Sequence, residues 1–163
     1  MKVPILTLRD SERYKGCVIA YGHFNSVHPG HIRYLKHAAQ QGKELVVAIK
    51  GDIADSQSIP FQFSQIERAE GLAELEMVDA IILLDEEENS FLRAIKFILP
   101  STLVLGKEFE ESNDTEIIEV IEFLTKEGTK TQFHGGDIQY ATTKFLIDSE
   151  SNLIEENRKQ FMR

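Results

Sequence analysis

Residues 15–39 read KGCVIAYGHFNSVHPGHIRYLKHAA, and they pass from an apolar run through a short polar loop into a helical pattern. Residues 17–21 suit a buried strand, Gly22 breaks it, and Ile32, Leu35 and Ala39 fall on one face of a helix predicted to open at His31. A strand that runs through a small loop into a helix start leaves the first helical amides unpaired and pointing outward with partial positive charge. Such a junction is a seat for phosphate. His28 and His31 stand at it, Pro29 tolerates the missing donor of a first turn, and Gly30 has no side chain to obstruct a ligand. Two histidines at a helix start are also what an ordinary solvated surface offers. His23, His28, His31 and His37 lie close in sequence but form no recognisable ligand set, so no metal site is assigned to them.

The rest of the chain repeats this alternation. Strands are expected at residues 44–50, 80–84, 102–105 and 131–134, with helices at 64–76, 89–98 and 113–127. Ser64 and Glu67 make a capping box at the start of the second helix, and Gly128 closes the fourth. Residues 1–15 read as an irregular or short helical lead-in. Five strand-helix alternations predict an α/β fold, a Rossmann-like doubly wound five-stranded parallel sheet with right-handed crossovers and helices on both faces. Ligands of such sheets sit beyond the carboxyl ends of the strands, where strand order reverses. Segments just after the first, fourth and fifth strands are therefore expected to meet.

With 163 residues the chain suits one domain with a substantial core. The single Cys17, inside a strand, excludes an internal disulfide and fits a reducing, cytoplasmic setting. No apolar run approaches the length of a membrane span, and the amino-terminal stretch lacks a signal-peptide pattern. A net charge of −9 argues against a nucleic-acid partner, whose affinity rests on Lys and Arg neutralising phosphates. It leaves room for a small anionic substrate in a locally positive cleft.

The string Gly22-His23-Phe24-Asn25-Ser26-Val27-His28-Pro29-Gly30-His31 resembles the GxFDxxHxGH signature of the cytidylyltransferase-like (HxGH) nucleotidyltransferases. Glycerol-3-phosphate cytidylyltransferase and the nucleotidyltransferase domains of ADP-heptose synthase-type enzymes belong to that family. The resemblance covers about residues 15–147, the expected domain being 1–147, with 148–163 a terminal helix or linker that allows for a truncated second region. It implies transfer of a nucleoside monophosphate from CTP or ATP to a phosphorylated polyol or sugar, with release of pyrophosphate and with Mg²⁺ bridging the phosphates. It further implies that His28 and His31 stabilise the reacting phosphorus, with Tyr21, Gly22, His23, Phe24, Asn25 and Gly30 around the nucleotide. After the fourth strand, Gly106-Lys107-Glu108-Phe109 resembles the family's Gly-x-Asp followed by an aromatic, which helps wall the base and ribose. Beyond the fifth, Thr142, Thr143 and Lys144 resemble its Ser-Thr-Thr helix start, which holds the triphosphate tail, Thr143 being counted among the catalytic groups. Arg68, in a stretch like the family's Glu-Arg-x-x-x-Leu, is expected to reach the phosphates. Homodimers and fusion to a sugar kinase are also known among relatives.

The departures define the rival reading. Asn25 replaces the usual aspartate, His23 a small hydroxyl residue, Glu108 an aspartate and Ala141 a hydroxyl, and residues 51–63 contain no Lys or Arg. Where relatives clamp phosphates with basic residues, this chain must use other cations such as Lys107 or Lys144, or else be a non-catalytic nucleotide-binding or assembly domain. A fragment of a class I aminoacyl-tRNA synthetase fits poorly, the chain being too short and too acidic for tRNA.

Overall fold

A computed structural model describes residues 2–52 and 63–134 of the chain. Six parallel strands form one sheet: β1 (Ile5–Thr7), β2 (Val18–Gly22), β3 (Leu45–Ile49), β4 (Ala80–Leu83), β5 (Thr102–Gly106) and β6 (Lys130–His134). Their spatial order is β1-β4-β3-β2-β5-β6. The five expected strands are all present, and β1 is a sixth that the sequence reading took for lead-in. Its three residues are too few to show a period, and it exists because Ile5, Leu6 and Thr7 pair with Ile81, Ile82 and Leu83 at the open edge of β4.

The inner strands are apolar along their whole length because both of their faces are covered. β3, Leu-Val-Val-Ala-Ile, is buried at every position. Alternate residues serve different layers. Ile19, Tyr21, Val46, Ala48, Leu103 and Leu105 pack under α3 (Ser90–Ile98) and α4 (Thr115–Lys126). Val18, Ala20, Leu45, Val47, Ile49 and Val104 pack under α1 (Pro29–Ala39) and α2 (Gln65–Leu72). Each fully buried Ile or Leu contributes roughly 1.5–3 kcal/mol. Cys17 belongs to the first of these layers, where burial pushes its thiol up to about 12 and leaves it a packing residue.

Short polar links fix the winding. Asp79 Oδ2 accepts the Leu45 amide at 2.7 Å and the Asp79 amide donates to Leu45 O, which registers β4 against the start of β3. Gln65 Nε2 donates to Ile49 O and Leu84 O, at 2.9 and 2.8 Å, and ties the start of α2 to the ends of the same two strands. Helix α2 stops at Leu72, short of the expected residue 76, and α1 begins at Pro29 rather than His31.

Chain order reverses direction at β2, which leads to β3 on one side and neighbours β5 on the other. The ladder between β2 and β5 ends at Ala20 and Val104. Beyond it Tyr34, on α1, inserts its hydroxyl between the strands, accepting from the Tyr21 amide at 3.2 Å and donating to Val104 O at 2.5 Å. The phenol replaces a ladder bond, lets the two strands part, and roots α1 in the sheet where the sheet opens.

Candidate active site

Past Gly22 and Gly106, the last residues of β2 and β5, lies a cleft of about 560 Å³. Its near wall is the turn from β2 into α1. Phe24 takes a left-handed backbone (φ 55°), which is costly for a bulky L-residue and is held here by burial of its ring. That ring meets His31 edge-on at 5.5 Å and lies over Tyr34 at 6.4 Å. A side chain at Gly22 would press on the same ring, a Cβ coming within 3.1 Å of it. The turn therefore needs glycine at 22 and an aromatic at 24 together.

Helix α1 is capped by its own histidines. His28 Nδ1 accepts the Gly30 amide at 3.1 Å, and His31 Nδ1 accepts the His28 amide at 3.2 Å. The rings lie 3.9 Å apart. Because each Nδ1 receives an N–H, each neutral ring carries its proton on Nε2. Both rings line the cleft, so the capping arrangement fixes the tautomer of two donors beside the outward amides of a helix start. Burial pushes the His31 pKa down, His28 pushes it further, and Glu108 and the Ser26 carbonyl partly oppose them. The His31 ring is therefore biased towards its neutral form, and an anion beside it would favour the charged one.

The far wall comes from β5 and β6. After Gly106 a 3-10 turn, Lys107–Phe109, turns Glu108 and Phe109 into the cleft, and a Cβ on Gly106 would strike the Glu108 carboxylate. Glu108 is the only carboxylate among the described residues that line this cleft. His134, opposite Gly106 in the ladder, stacks on His37 at 4.1 Å, and His37 Nε2 bonds Gln132 Oε1 at 2.8 Å.

Ten residues expected at the nucleotide, Tyr21, Gly22, His23, Phe24, Asn25, His28, Gly30, His31, Gly106 and Glu108, thus surround one space. Two others lie elsewhere. Lys107 is exposed on the outer side of its turn and does not line the cleft. Arg68, expected to reach phosphates, has a fully buried side chain behind the wall. It donates to Phe63 O, His23 O, Lys50 O and Asp52 Oδ1 at 3.0, 2.7, 3.0 and 2.8 Å. A guanidinium with three carbonyls and a carboxylate in reach is a tie between loops, not a phosphate ligand. Asn25 works on the same loops, its Oδ1 accepting the Phe63 amide at 3.0 Å. Ala141, Thr142, Thr143 and Lys144 lie outside the described residues. Phe109 lines the cleft with the ten, and Ser26, Tyr34, Lys50 and His134 do so without having been singled out. Lys50 and His134 were findable, since each is the last or next residue of a predicted parallel strand at its carboxyl end.

The Cytidylyltransferase-like family profile matches residues 19–157. The chain belongs to this family. It is 33% identical over 139 residues to the bifunctional protein HldE of Campylobacter jejuni (strain RM1221), a match covering 80% of this chain and 29% of that protein. The HldE of Azorhizobium caulinodans is 38% identical over 96 residues, 56% of this chain and 19% of its own length. The chain thus spans less than a third of these two relatives. An FAD synthase of Natrialba magadii is 38% identical over 104 residues, 63% of this chain and 66% of that one. Among solved structures, a lipopolysaccharide core biosynthesis protein from Thermoplasma volcanium superposes with a TM-score of 0.56 at 29% identity, covering 72% of this chain and 93% of that one. A pantoate-beta-alanine ligase from Francisella tularensis shares the fold alone, at 16% identity and a TM-score of 0.53, over 82% of this chain and 67% of that one. Among the described residues no helix is long and apolar enough to cross a membrane.

Proposed function

We propose that this protein is a nucleotidyltransferase that moves a nucleoside monophosphate from CTP or ATP to the phosphate of a small acceptor. The observation that carries the reading is the paired-histidine cap, which presents two imidazoles of defined tautomer and the first amides of α1 to one cleft at the strand-order reversal. An acceptor phosphate oxygen attacks the α-phosphorus in line, the bond from that phosphorus to the bridging oxygen breaks, and pyrophosphate leaves with the electron pair. Positioning and charge stabilisation carry such a transfer without a covalent intermediate.

The Nε2–H groups of His28 and His31 donate to phosphoryl oxygens as negative charge builds on them. Tyr21 and Phe109, with ring centroids 5.9 Å apart, supply an aromatic surface beside the turn that holds Glu108. Thr142, Thr143 and Lys144 are assigned to the triphosphate tail by sequence alone. Among the described residues no group of three or more His, Cys, Asp or Glu is placed to hold a metal ion. Mg²⁺ keeps waters and binds chiefly through substrate phosphates, so it fits here as a passenger of the triphosphate with Glu108 as the carboxylate nearest to hand. It would screen charge on the phosphates. Dimerisation and fusion to a kinase domain in the native context are further parts of this proposal, the latter supported by the bifunctional relatives.

The test is a screen of the four ribonucleoside triphosphates against polyol, sugar and amino-alcohol phosphates, read as released pyrophosphate. One pairing is expected to turn over in the wild type and to fail in His31→Ala with the circular dichroism spectrum unchanged. Nucleotide binding with no pyrophosphate from any pairing would instead mark a non-catalytic nucleotide-binding domain, the reading favoured by the lack of Lys and Arg in residues 51–63.

A further inference from the structure

All five histidines of the chain gather at one place: His23, His28, His31 and His134 line the cleft, and His37 stacks on His134. The cap of α1 accounts for His28 and His31. His37, in the last turn of α1, and His134, which closes β6, form a separate pair. A closed set of hydrogen bonds fixes it. Gln41 Nε2 donates to the His37 carbonyl at 3.0 Å, an oxygen that can only accept. Gln41 therefore turns its Oε1 to Gln132 Nε2, at 2.8 Å. That leaves Gln132 Oε1 as an acceptor, so His37 Nε2, 2.8 Å away, is the donor and carries a proton. Two glutamines thus orient the His37 ring. The buried His134 lies against that ring, with centroids 4.1 Å apart and 16° between planes.

The cleft has two ends of different chemistry. Toward β2 and β3 stand His28, His31, the first amides of α1 and Lys50, the only Lys or Arg among the described residues lining it. On that side Tyr21 and Lys50 are shared with a second cavity of about 590 Å³, at the carboxyl ends of β3 and β4. Toward β5 and β6 stand Glu108, Phe109 and His134, which lies opposite Gly106 in the ladder. The Glu108 carboxylate repels phosphate oxygens and accepts hydrogen bonds from hydroxyl and amino groups. Phe109 and His134 add flat rings beside it. A nucleotide is divided in the same sense, into an anionic tail and a flat, hydrogen-bonding nucleoside.

Resting on the transferase reading above, we propose that His134 contacts the nucleoside of the bound triphosphate and that His37, set by Gln41 and Gln132, is its positioning residue. A ring already held parallel to a second, immobile ring has little freedom left to lose when a ligand meets it, so the cost of ordering that wall is met in folding rather than in binding. Gln132 and His134 are two residues apart on β6 and share one face of the sheet, which brings the network and the ring it supports to the same side.

The experiment follows histidine resonances and calorimetric affinities for CTP, ATP and inorganic tripolyphosphate, which has the tail and no nucleoside, in wild type, His134→Ala, His37→Ala and His37→Phe. In the wild type, tripolyphosphate should move the His28 and His31 signals and leave those of His134 in place, whereas the preferred nucleotide should move all three. His134→Ala should weaken that nucleotide about 5- to 20-fold and leave the tripolyphosphate Kd within about twofold. His37→Ala should weaken the nucleotide less, about 3- to 5-fold, and His37→Phe, which restores a flat ring under His134, should recover most of that loss. A pair that merely joins α1 to β6 would weaken both ligands alike. Equal losses for nucleotide and tripolyphosphate, undiminished nucleotide affinity in His134→Ala, or no recovery in His37→Phe overturns this inference and leaves the transferase reading intact. A wild type that binds neither CTP nor ATP overturns that reading, and this inference with it.

Discussion

The two cavities on either side of Tyr21 are of similar size and opposite make. One is built mainly from a single contiguous run, residues 21–34, with histidines and helix amides turned inward. The other is assembled from the ends of β3 and β4 and the approaches to α3 and α4, and is walled by carboxylates. The first gathers imidazoles and helix amides; the second carries one cation, Lys50, among its described lining residues. Under the proposed function, an acidic chain confines its attraction for polyanions to one short motif. The net charge of −9 says nothing against the activity once that confinement is seen.

If the histidine side of this comparison is right, the largest effect of any single change is on catalysis there. His31→Ala should reduce kcat by about 10²- to 10³-fold, the range for loss of one preorganised donor, or roughly 3–4 kcal/mol. Stopped pyrophosphate release with the fold intact is the expected result. The boundary between the two spaces is broken differently, through Arg68. Arg68→Met strands three carbonyls that the guanidinium now satisfies and should lower unfolding free energy by about 3 kcal/mol in urea denaturation. A variant as stable as wild type would show that water replaces the guanidinium and that the tie between the loops is dispensable.

Tyr34→Phe removes the hydroxyl that bridges Tyr21 and Val104 at the parting of β2 and β5. A loss of about 1–3 kcal/mol is expected, the cost of one buried donor and acceptor left unpaired, read as a lower denaturation midpoint with unchanged m-value. The smallest effect concerns the start of α2, where Ser64 Oγ accepts the Glu67 amide. Ser64→Ala should cost about 1 kcal/mol by the same assay, the usual value for an N-cap.

Much of the first cavity was legible in the sequence because its parts are neighbours along the chain. Gly22, His28 and His31 declare a turn and a helix start by themselves, and the strand-helix alternation then dictates what lies opposite. The second cavity was invisible for the converse reason. Asp114 and Glu116 fall at the start of a predicted helix and residues 85–88 between a predicted strand and helix, and only the fold sets them around one space. Arg68 was misread because an arginine on a helix near phosphate-binding loops satisfies both roles in sequence; only the positions of His23 O, Lys50 O and Phe63 O decide between them. Tyr34 showed only as a helix residue, since its partners are 13 and 70 positions away. β1 has no pattern of its own and borrows its structure from the edge of β4.

The account turns on His28 and His31 as donors that meet a triphosphate, and histidine resonances report on that directly. In the unliganded protein the His31 midpoint should lie below its ordinary value of about 6.5, rise in His28→Gln, which removes the imidazole that pushes it down, and fall in Glu108→Gln, which removes the carboxylate that holds it up. Because burial and then His28 depress the folded-state pKa, folding is favoured above about pH 6.5 and loses that stability as pH falls through the folded midpoint. Addition of CTP or ATP with Mg²⁺ should shift both rings' Nε2 signals and raise the His31 midpoint, as an anion beside an imidazole requires. Saturating nucleotide that leaves both histidine spectra unmoved would contradict the central claim.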